Sequence, residues 1–329
     1  MTSVYSVADS SGFSLSEFDL IQRYFTRPAP NAILGVGDDA ALLSVAEGME
    51  LAVSTDMLVS GTHFFPDADP FLLGHKTLAV NLSDLAAMGA VPRWATLALA
   101  LPGADENWLR RFSEGFFSLA DEYGVDLVGG DTTRGPLNLS VTIMGEVTRG
   151  RALRRSGAKA GDDIWVSGTL GKAALGLAQL QGRTALPEDA RLSCLAALHQ
   201  PRPRVALGLA LRGVANSAID ISDGLLADLG HILECSQAGA EIEFAAIPAV
   251  ETHGIDDALL RHCVLSGGDD YELCFTASAA RRSEIEAVAA KLQLPLTRIG
   301  SINAGQGCTV RAADGSVMKI EESGYDHFA

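Results

Sequence analysis

Oxygen-bearing side chains recur along this sequence in pairs and triplets, within glycine-rich or apolar surroundings. Gly35-Val36-Gly37-Asp38-Asp39 places two adjacent carboxylates beside an apolar run, and no Lys or Arg follows within the next ten residues. Adjacent carboxylates repel one another and resist burial unless a cation or hydrogen bonds compensate them. One such pair is typical of a solvated turn. Here, however, further acidic groups occur at Asp56, Asp84, Asp131, Asp220/Asp223 and Asp269/Asp270.

The chemistry that these groups favour is the binding of a hard divalent cation. Ser54-Thr55-Asp56 adds two hydroxyls to a carboxylate, and the sequence contains neither CxxC nor HExxH. Oxygen ligands without thiolate or imidazole favour Mg²⁺ or Mn²⁺ over Zn²⁺. Mg²⁺ usually completes its coordination with water and substrate phosphates, so the sequence predicts a reaction of a nucleotide polyphosphate. No Ser/His/Asp set is evident, which favours direct in-line transfer without a covalent catalytic residue.

Length and composition limit the possible partners. The chain has 329 residues, and its 25 Lys and Arg against 41 Asp and Glu give a formal net charge of −16. This charge argues against nucleic acid and anionic membranes as partners. The longest apolar run, around residues 94–101, is too short to span a membrane, and residues 1–11 lack the basic start of a signal peptide. Five scattered cysteines are typical of reduced thiols, so we expect a cytoplasmic protein.

The spacing of apolar residues predicts alternating helices and strands, as in an α/β protein. A helix over 13–25 would place Phe18, Ile21 and Phe25 on one apolar face, with Ser14 or Ser16 as its cap. Two further segments, 75–88 and 106–123, have helical periodicity. Strands are predicted at 40–45, 51–59 (joined to the first by a turn at Glu47-Gly48), 94–101, 125–128 and 137–147.

Two of these segments carry polar groups in positions that suit a ligand. Thr77, Asn81 and Asp84 share one edge of the helix over 75–88, either as an ion site or as hydrogen-bonding partners of a neighbouring element. The strand over 125–128 runs into Gly129–Gly135, which we expect to be a loop whose glycines allow close approach of a phosphate.

A basic cluster over Arg149–Lys159 marks the predicted boundary between an N-terminal domain, residues 1–148, and a C-terminal domain, residues 149–329. The cluster is either a solvated charge run or a source of guanidinium groups for polyphosphate. In the C-terminal half, Asp220 and Asp223 flank Ser222 at the start of a predicted helix, as a cap or as an extension of the ion cluster. Gly35-x-Gly37-x-x-Ala40 fits a dinucleotide fingerprint only formally, since two Asp would face the pyrophosphate and a strand is predicted to follow.

Several motifs in one register resemble those of the thiamine-monophosphate kinase family, within the wider group of aminoimidazole-ribonucleotide synthetase. The resemblance covers residues 13–328 and leaves residues 1–11 outside. The matching segments are 35–43 (GVGDDAALL), 54–59 (STDMLV), 76–90 (KTLAVNLSDLAAMGA), 129–135 (GGDTTRG), 219–225 (IDISDGL) and 267–273 (GGDDYEL).

This resemblance implies a two-domain fold with an N-terminal mixed sheet and helices, which dimerises through its sheet, and a C-terminal α/β domain that covers the nucleotide cleft. It implies ATP-dependent phosphorylation of thiamine monophosphate to thiamine diphosphate. By motif match, Mg²⁺ would be held by Asp39, Ser54, Thr55, Asp56, Asp84, Asp131, Asp220 and Asp223. ATP would be contacted by Gly130, Asp131, Arg155 and Ser222, and thiamine monophosphate by His63, Asp269 and Tyr325. Position 269 is Asp where Glu is frequent in this family.

Three alternatives remain open. Selenide-water dikinase would need a reactive Cys near the amino terminus, but the first Cys here is Cys194. Aminoimidazole-ribonucleotide synthetase itself would be expected to have Lys after the first Gly-x-Gly, where this chain has Asp38. A non-catalytic nucleotide or divalent-ion sensor would need many of the same ligands, so turnover is the observation that separates it from an enzyme.

Overall fold

The computed structural model describes residues 16–251, 255–320 and 324–325, which form a mixed α/β fold with two separate sheets. The predicted fold class is therefore confirmed. The described residues form nine α-helices: α1 (Glu17–Leu20), α2 (Pro70–Ala87), α3 (Glu106–Tyr123), α4 (Lys172–Leu180), α5 (Glu188–His199), α6 (Val205–Leu211), α7 (Leu225–Ser236), α8 (Asp257–Ser266) and α9 (Arg282–Leu292).

The first sheet has four strands in the order β1-β4-β2-β3, where β1 is Met49–Val59, β2 is Val91–Leu101, β3 is Asp126–Arg134 and β4 is Asn138–Thr148. β4 pairs antiparallel with both β1 and β2, and β3 pairs parallel with β2. Leu139, Val141 and Ile143 of β4 are fully buried, so one face of this sheet packs on the core. The alternating segment predicted over 137–147 is confirmed as a half-buried strand.

The second sheet has six strands in the order β10-β7-β9-β5-β8-β6. Its antiparallel centre is extended at one edge by the parallel pair of β7 and β10. The strands are β5 (Asp162–Ser167), β6 (Ser217–Asp220), β7 (Gly239–Glu243), β8 (Leu273–Ser278), β9 (Leu296–Asn303) and β10 (Gly307–Arg311). Residues 149–161 lie between the two sheets and contain neither helix nor strand.

Helix α2 packs against α3 and against strands β1 and β4 of the first sheet, and it also contacts α6 and β6 of the C-terminal half. The carboxylate of Asp69 caps its start by accepting the amide hydrogens of Phe71 and Leu72, and Gly89, with φ of 62°, follows its end. The helix therefore starts five residues earlier than the predicted 75–88. Thirteen of its 18 residues are buried, so most of its polar residues are enclosed by the protein and do not form a solvent-exposed face.

Two local predictions were wrong. Residues 40–45 do not form a strand, because Leu42 pairs only with Leu34 in an isolated bridge and the chain then turns into β1. Residues 129–134 belong to β3 rather than to a loop, since they pair with β2. A side chain on Gly130 would place its Cβ 1.9 Å from the carbonyl oxygen of Leu97, so this glycine is required by strand packing.

The amino-terminal helix is shorter than predicted. Residues 13–15 lie outside the described residues; α1 begins after Ser16, whose side chain forms a capping box with Asp19. A π-helical turn, Ile21–Phe25, continues it. Phe25 and Leu20 are buried, but Phe18 is 79% exposed, so the predicted apolar face was wrong at Phe18. None of the helices in the described ranges is both long and apolar enough to cross a membrane.

Candidate active site

A cavity of about 640 Å³ lies where β1 and α2 meet the loops that follow β6 and precede β8. It brings together residues that are distant in sequence, and these include most of the predicted site. The predicted residues that line it are Thr55, Asp56, His63, Asp84, Asp220, Ser222, Asp223, Asp269 and Tyr325. Apolar groups such as Phe64, Phe65 and Leu72 line another part of the wall.

The first part of the carboxylate cluster is built by β1 and α2. The Ser54 hydroxyl donates a hydrogen bond of 2.5 Å to Asp84, and the Asp56 amide donates to the side chain of Asn81. Asn81 also donates to the carbonyl oxygen of Thr77, and the Thr77 hydroxyl donates to Leu73. The polar edge of α2 therefore divides: Thr77 and Asn81 hydrogen-bond to protein groups, whereas Asp84 lines the cavity.

The second part of the cluster follows β6. The buried Ser83 hydroxyl donates to Asp220 at 2.6 Å, which ties the end of β6 to α2. Asp228 accepts the amide hydrogens of Ser222, Asp223 and Gly224 at 3.0 to 3.1 Å. Because Asp228 caps this turn, Asp220 and Asp223 are not its caps, and the side chain of Asp223 lines the cavity.

A loop before β8 completes the wall. The amides of Asp269 and Tyr271 donate to the carbonyl oxygens of Ser222 and Ile221, each at 2.8 Å. Asp269 and Tyr271 have positive φ angles of 70° and 49°, a conformation that costs energy for residues other than glycine. The Asp269 carboxylate accepts hydrogen bonds from the Lys76 ammonium at 2.9 Å and the Tyr271 hydroxyl at 3.0 Å.

The buried carboxylates repel one another. Burial, followed by repulsion from Asp84, Asp220 and Asp223, raises the pKa of the Asp56 carboxyl from 3.8 to about 7. Burial and the charge of Asp84 raise the pKa of Asp220 to about 7 as well. Burial also raises the pKa of Asp84, although the Ser54 hydrogen bond and the Arg155 charge oppose this shift. The cluster is thus a site where positive charge is favoured.

These raised pKa values predict that the metal-free protein loses stability as the pH rises. The folded state keeps a proton on Asp56 up to about pH 7, whereas the unfolded chain releases it near the ordinary pKa of 3.8. Between these values the folded state binds more protons, so raising the pH lowers the free energy of unfolding. Asp56→Asn removes this linkage, and its unfolding temperature in EDTA should rise relative to wild type between about pH 4 and about pH 7.

Thermal unfolding in EDTA at constant ionic strength measures this difference. Asp121→Asn, which removes an exposed carboxylate on α3, is the matched control and should keep a constant offset from wild type. The same constant offset for Asp56→Asn over the whole pH range would contradict the expected linkage.

The donor set fits Mg²⁺ held jointly with substrate oxygens. Within the described ranges, no three His, Cys, Asp or Glu side chains are grouped closely enough to bind a metal by themselves. No ion pair there joins Asp56, Asp84 or Asp220 to Lys or Arg. Buried carboxylates without a cationic partner favour a cation, and Mg²⁺ usually takes one or two carboxylates and fills its other positions with water and phosphate.

Five predicted residues do not line the cavity: Asp39, Ser54, Gly130, Asp131 and Arg155. The Ser54 hydroxyl is nevertheless hydrogen-bonded to Asp84, which does line it. One row of paired residues crosses the first sheet: Asp131 of β3 pairs with Ala98 of β2, Ala98 pairs with Ser140 of β4, and Ser140 pairs with Met57 of β1. Side chains paired across strands share one face, so Asp131 lies on the exposed face of the first sheet. Asp39 and Arg155 are also exposed.

Residues that sequence reasoning did not assign to the site are Lys76, Asp228 and His199. Lys76 and His199 line the cavity, and burial together with the Lys76 charge lowers the pKa of His199. Asp228 is the fourth residue of α7, and acidic residues are common in the first turn of a helix. The signal for Lys76 in the sequence is its place at the start of the matching segment 76–90.

Two family models of one class of protein match consecutive parts of this chain. The family model for the N-terminal domain of AIR synthase related proteins matches residues 37–147, and the model for the C-terminal domain matches residues 159–313. The chain thus has both domains of an AIR synthase related protein, and each match contains one of the two sheets almost entirely.

Within this class, the chain is clearly similar to individual thiamine-monophosphate kinases. Thiamine-monophosphate kinase of Escherichia coli (strain K12) is 50% identical over 327 residues, covering 95% of this chain and 98% of the relative. The crystal structure of thiamine-monophosphate kinase from Stenotrophomonas maltophilia K279a superimposes with a TM-score of 0.83 at 52% identity, covering 93% of this chain and 98% of that one. The structure of AaThiL complexed with AMPPCP and TMP gives 0.75 at 31% identity, covering 94% and 96%. The chain therefore belongs to the thiamine-monophosphate kinase family, as its motifs predicted.

Proposed function

We propose that this protein transfers the terminal phosphate of ATP to thiamine monophosphate and forms thiamine diphosphate, with several Mg²⁺ ions as cofactors. The observation that carries the proposal is one cavity with two chemically different ends. Asp56, Asp84 and Asp220 form a carboxylate end, and Lys76 pairs with Asp269 near the apolar wall. The AaThiL relative, which binds AMPPCP and TMP, supports this assignment of nucleotide and acceptor.

The acceptor in this reaction is a phosphate oxygen, which is already anionic at neutral pH. This oxygen can attack without a covalent enzyme intermediate. The protein therefore has to bring the phosphates of ATP and thiamine monophosphate together and compensate their negative charge. Mg²⁺, when bound, would supply that compensation by coordinating phosphate oxygens. The carboxylates would hold the ions, and the hydrogen bonds from Ser54 and Ser83 hold Asp84 and Asp220 in place.

The individual roles follow the motif match. We assign Mg²⁺ binding to the acidic and hydroxyl groups Asp39, Ser54, Thr55, Asp56, Asp84, Asp131, Asp220 and Asp223. We assign ATP contacts to Gly130, Asp131, Arg155 and Ser222, and contacts with thiamine monophosphate to His63, Asp269 and Tyr325. The charge of Arg155, which acts on Asp84 and Asp220, supports its place beside the nucleotide.

The chain is proposed to act as a cytoplasmic homodimer with domains divided at residues 148/149. The free cysteines suit a reducing compartment. The edge strand β1 exposes 45% of Leu51, 56% of Val53 and 54% of Met57, which alternate along one face of the first sheet. An apolar sheet face that is exposed to water is a site for packing against another chain, and a second copy presents the same apolar surface.

Val53→Asp is expected to convert the dimer into a monomer, because it would bury two repelling carboxylates at the interface. Sedimentation or light scattering at micromolar concentration measures the mass. Leu192→Asp, on a 54% exposed leucine of α5, is the matched control and should leave the mass unchanged. A wild-type protein that already sediments as a monomer would disprove the proposed dimer.

Formation of thiamine diphosphate from thiamine monophosphate, ATP and Mg²⁺ tests the proposed activity. Product is expected with Mg²⁺ and not with EDTA or without thiamine monophosphate. ATP consumption without this product would indicate a different acceptor. Binding of ATP without any turnover would favour the nucleotide-sensor alternative over an enzyme.

A further inference from the structure

Lys76 is a buried cation in an otherwise acidic cavity. It is 4% exposed, and it is the only Lys or Arg among the described residues that line the cavity. Its ammonium donates to Asp269, whose second oxygen accepts from Tyr271. Burying a lysine ammonium costs free energy unless the charge is paired, and Asp269 provides that pairing here. Because this ion pair faces an open cavity, a ligand in the cavity can interact with both partners.

Lys76 lies on the same helix, α2, as Asp84 of the carboxylate end, and both residues line the cavity. Lys76, Val80 and Asp84 all line the cavity at intervals of four residues, so they follow one another along one face of α2. With a rise of 1.5 Å per residue, the Cα atoms of Lys76 and Asp84 are about 12 Å apart. This span leaves room for a metal-bound phosphate beside Asp84 and for a second phosphate next to Lys76.

We propose that Lys76 binds the phosphate of thiamine monophosphate and that Asp269 binds its thiazolium cation, so that the substrate replaces the Lys76–Asp269 ion pair with two ion pairs of its own. The inference rests on the proposed function. The substrate carries a quaternary cation and a phosphomonoester separated by a two-carbon chain. Its two opposite charges are therefore neighbours, as are the two charged groups that are 2.9 Å apart in the protein.

The exchange explains how an acidic cavity accepts an anionic acceptor. Asp269 alone would repel the substrate phosphate, and Lys76 alone would repel the thiazolium ring. As a pair, they neutralise one another before binding, and each then has a partner of opposite charge in the complex. The Tyr271 hydroxyl continues to hold one oxygen of Asp269, so the carboxylate stays oriented when Lys76 turns to the phosphate.

Calorimetric titration of thiamine monophosphate and of thiamine, which lacks the phosphate, tests the assignment. Lys76→Met should weaken thiamine monophosphate by about tenfold to a hundredfold, the usual loss for a hydrogen bond to a charged group. Its affinity for thiamine should stay the same or increase, because Asp269 has lost its competing partner. Asp269→Asn should have the opposite selectivity and weaken thiamine more than thiamine monophosphate. Lys291→Met, on the exposed end of α9, is the matched control.

Equal losses for thiamine and thiamine monophosphate in Lys76→Met would overturn the assignment, as would a loss of affinity for the ATP analogue AMPPCP alone. If Lys76→Met does not unfold cooperatively, Asp269→Asn decides the matter, since a greater loss for thiamine monophosphate than for thiamine would refute the exchange. Wild-type protein that forms no thiamine diphosphate would instead overturn the proposed function. Product formation with the wrong selectivity in the variants would overturn only the role of Lys76.

Discussion

Asp84→Asn is expected to lower the turnover of ATP and thiamine monophosphate about a hundredfold or more, the loss typical of removing one group that stabilises charge in a transition state. Asp84 lies in the carboxylate end of the cavity and accepts from Ser54, so the change removes a proposed metal ligand at the centre of the cluster. The asparagine carbonyl retains an acceptor for Ser54. Initial rates over a range of Mg²⁺ concentrations measure the effect.

The same substitution should not lower the unfolding temperature in EDTA, because burial raises the pKa of Asp84 and its charge opposes folding there. Asp121→Asn, on the exposed surface, should retain wild-type turnover and serves as the control for loss of one charge. Turnover within about threefold of wild type would remove Asp84 from the metal site, since even a modest electrostatic contact is worth more than that. Loss of cooperative unfolding would show that Asp84 is structural.

Arg204→Ala is expected to destabilise the protein by about 3–5 kcal/mol, because it leaves a buried carboxylate without its partner. Glu272 is 6% exposed and accepts from Arg204 Nε at 2.6 Å and from the Ser167 hydroxyl at 2.5 Å. Arg204 Nη2 also donates to the other oxygen of Glu272, which makes the ion pair bidentate. Urea unfolding monitored by tryptophan fluorescence measures the loss.

The matched control is Arg191→Ala, which removes a bidentate pair with Glu188 on the surface of α5. Exposed pairs of this kind contribute about 0–1 kcal/mol. The double variant Arg204→Met/Glu272→Gln should recover part of the stability, since it removes both buried charges. Equal shifts for Arg204→Ala and Arg191→Ala would show that burial of Glu272 does not determine the strength of this pair.

The Arg204–Glu272 pair also matters for the site, because Glu272 directly follows the loop that carries Asp269 and Tyr271. The backbone oxygen of Glu272 accepts from the amide of Ile221, and this bond adds to those from Asp269 and Tyr271 to the turn after β6. The two loops that contribute the C-terminal side of the cavity are thus held together. The strained φ angles of Asp269 and Tyr271 are maintained by these bonds.

Local sequence was sufficient to predict several helices and strands of this protein and the acidic residues of its site. The helix over 106–123 was predicted with both ends correct, because Asp105, a long apolar stripe and Gly124 are all local signals. The acidic motifs predicted a divalent-cation site, and the cavity brings together Asp56, Asp84, Asp220 and Asp223. Residue type and spacing sufficed here because capping and hydrophobic periodicity act within a few residues.

Tertiary structure decided which polar groups face the cavity. Lys76 and Asp269 are 193 positions apart, and Ser83 and Asp220 are 137 apart, so no local pattern could pair them. Pairing with β2 made a strand of residues 129–134 and placed Asp131 on the exposed face of the first sheet. The physical reason is that hydrogen bonds and ion pairs between distant segments depend on how helices and sheets pack, which the sequence specifies only through the whole fold.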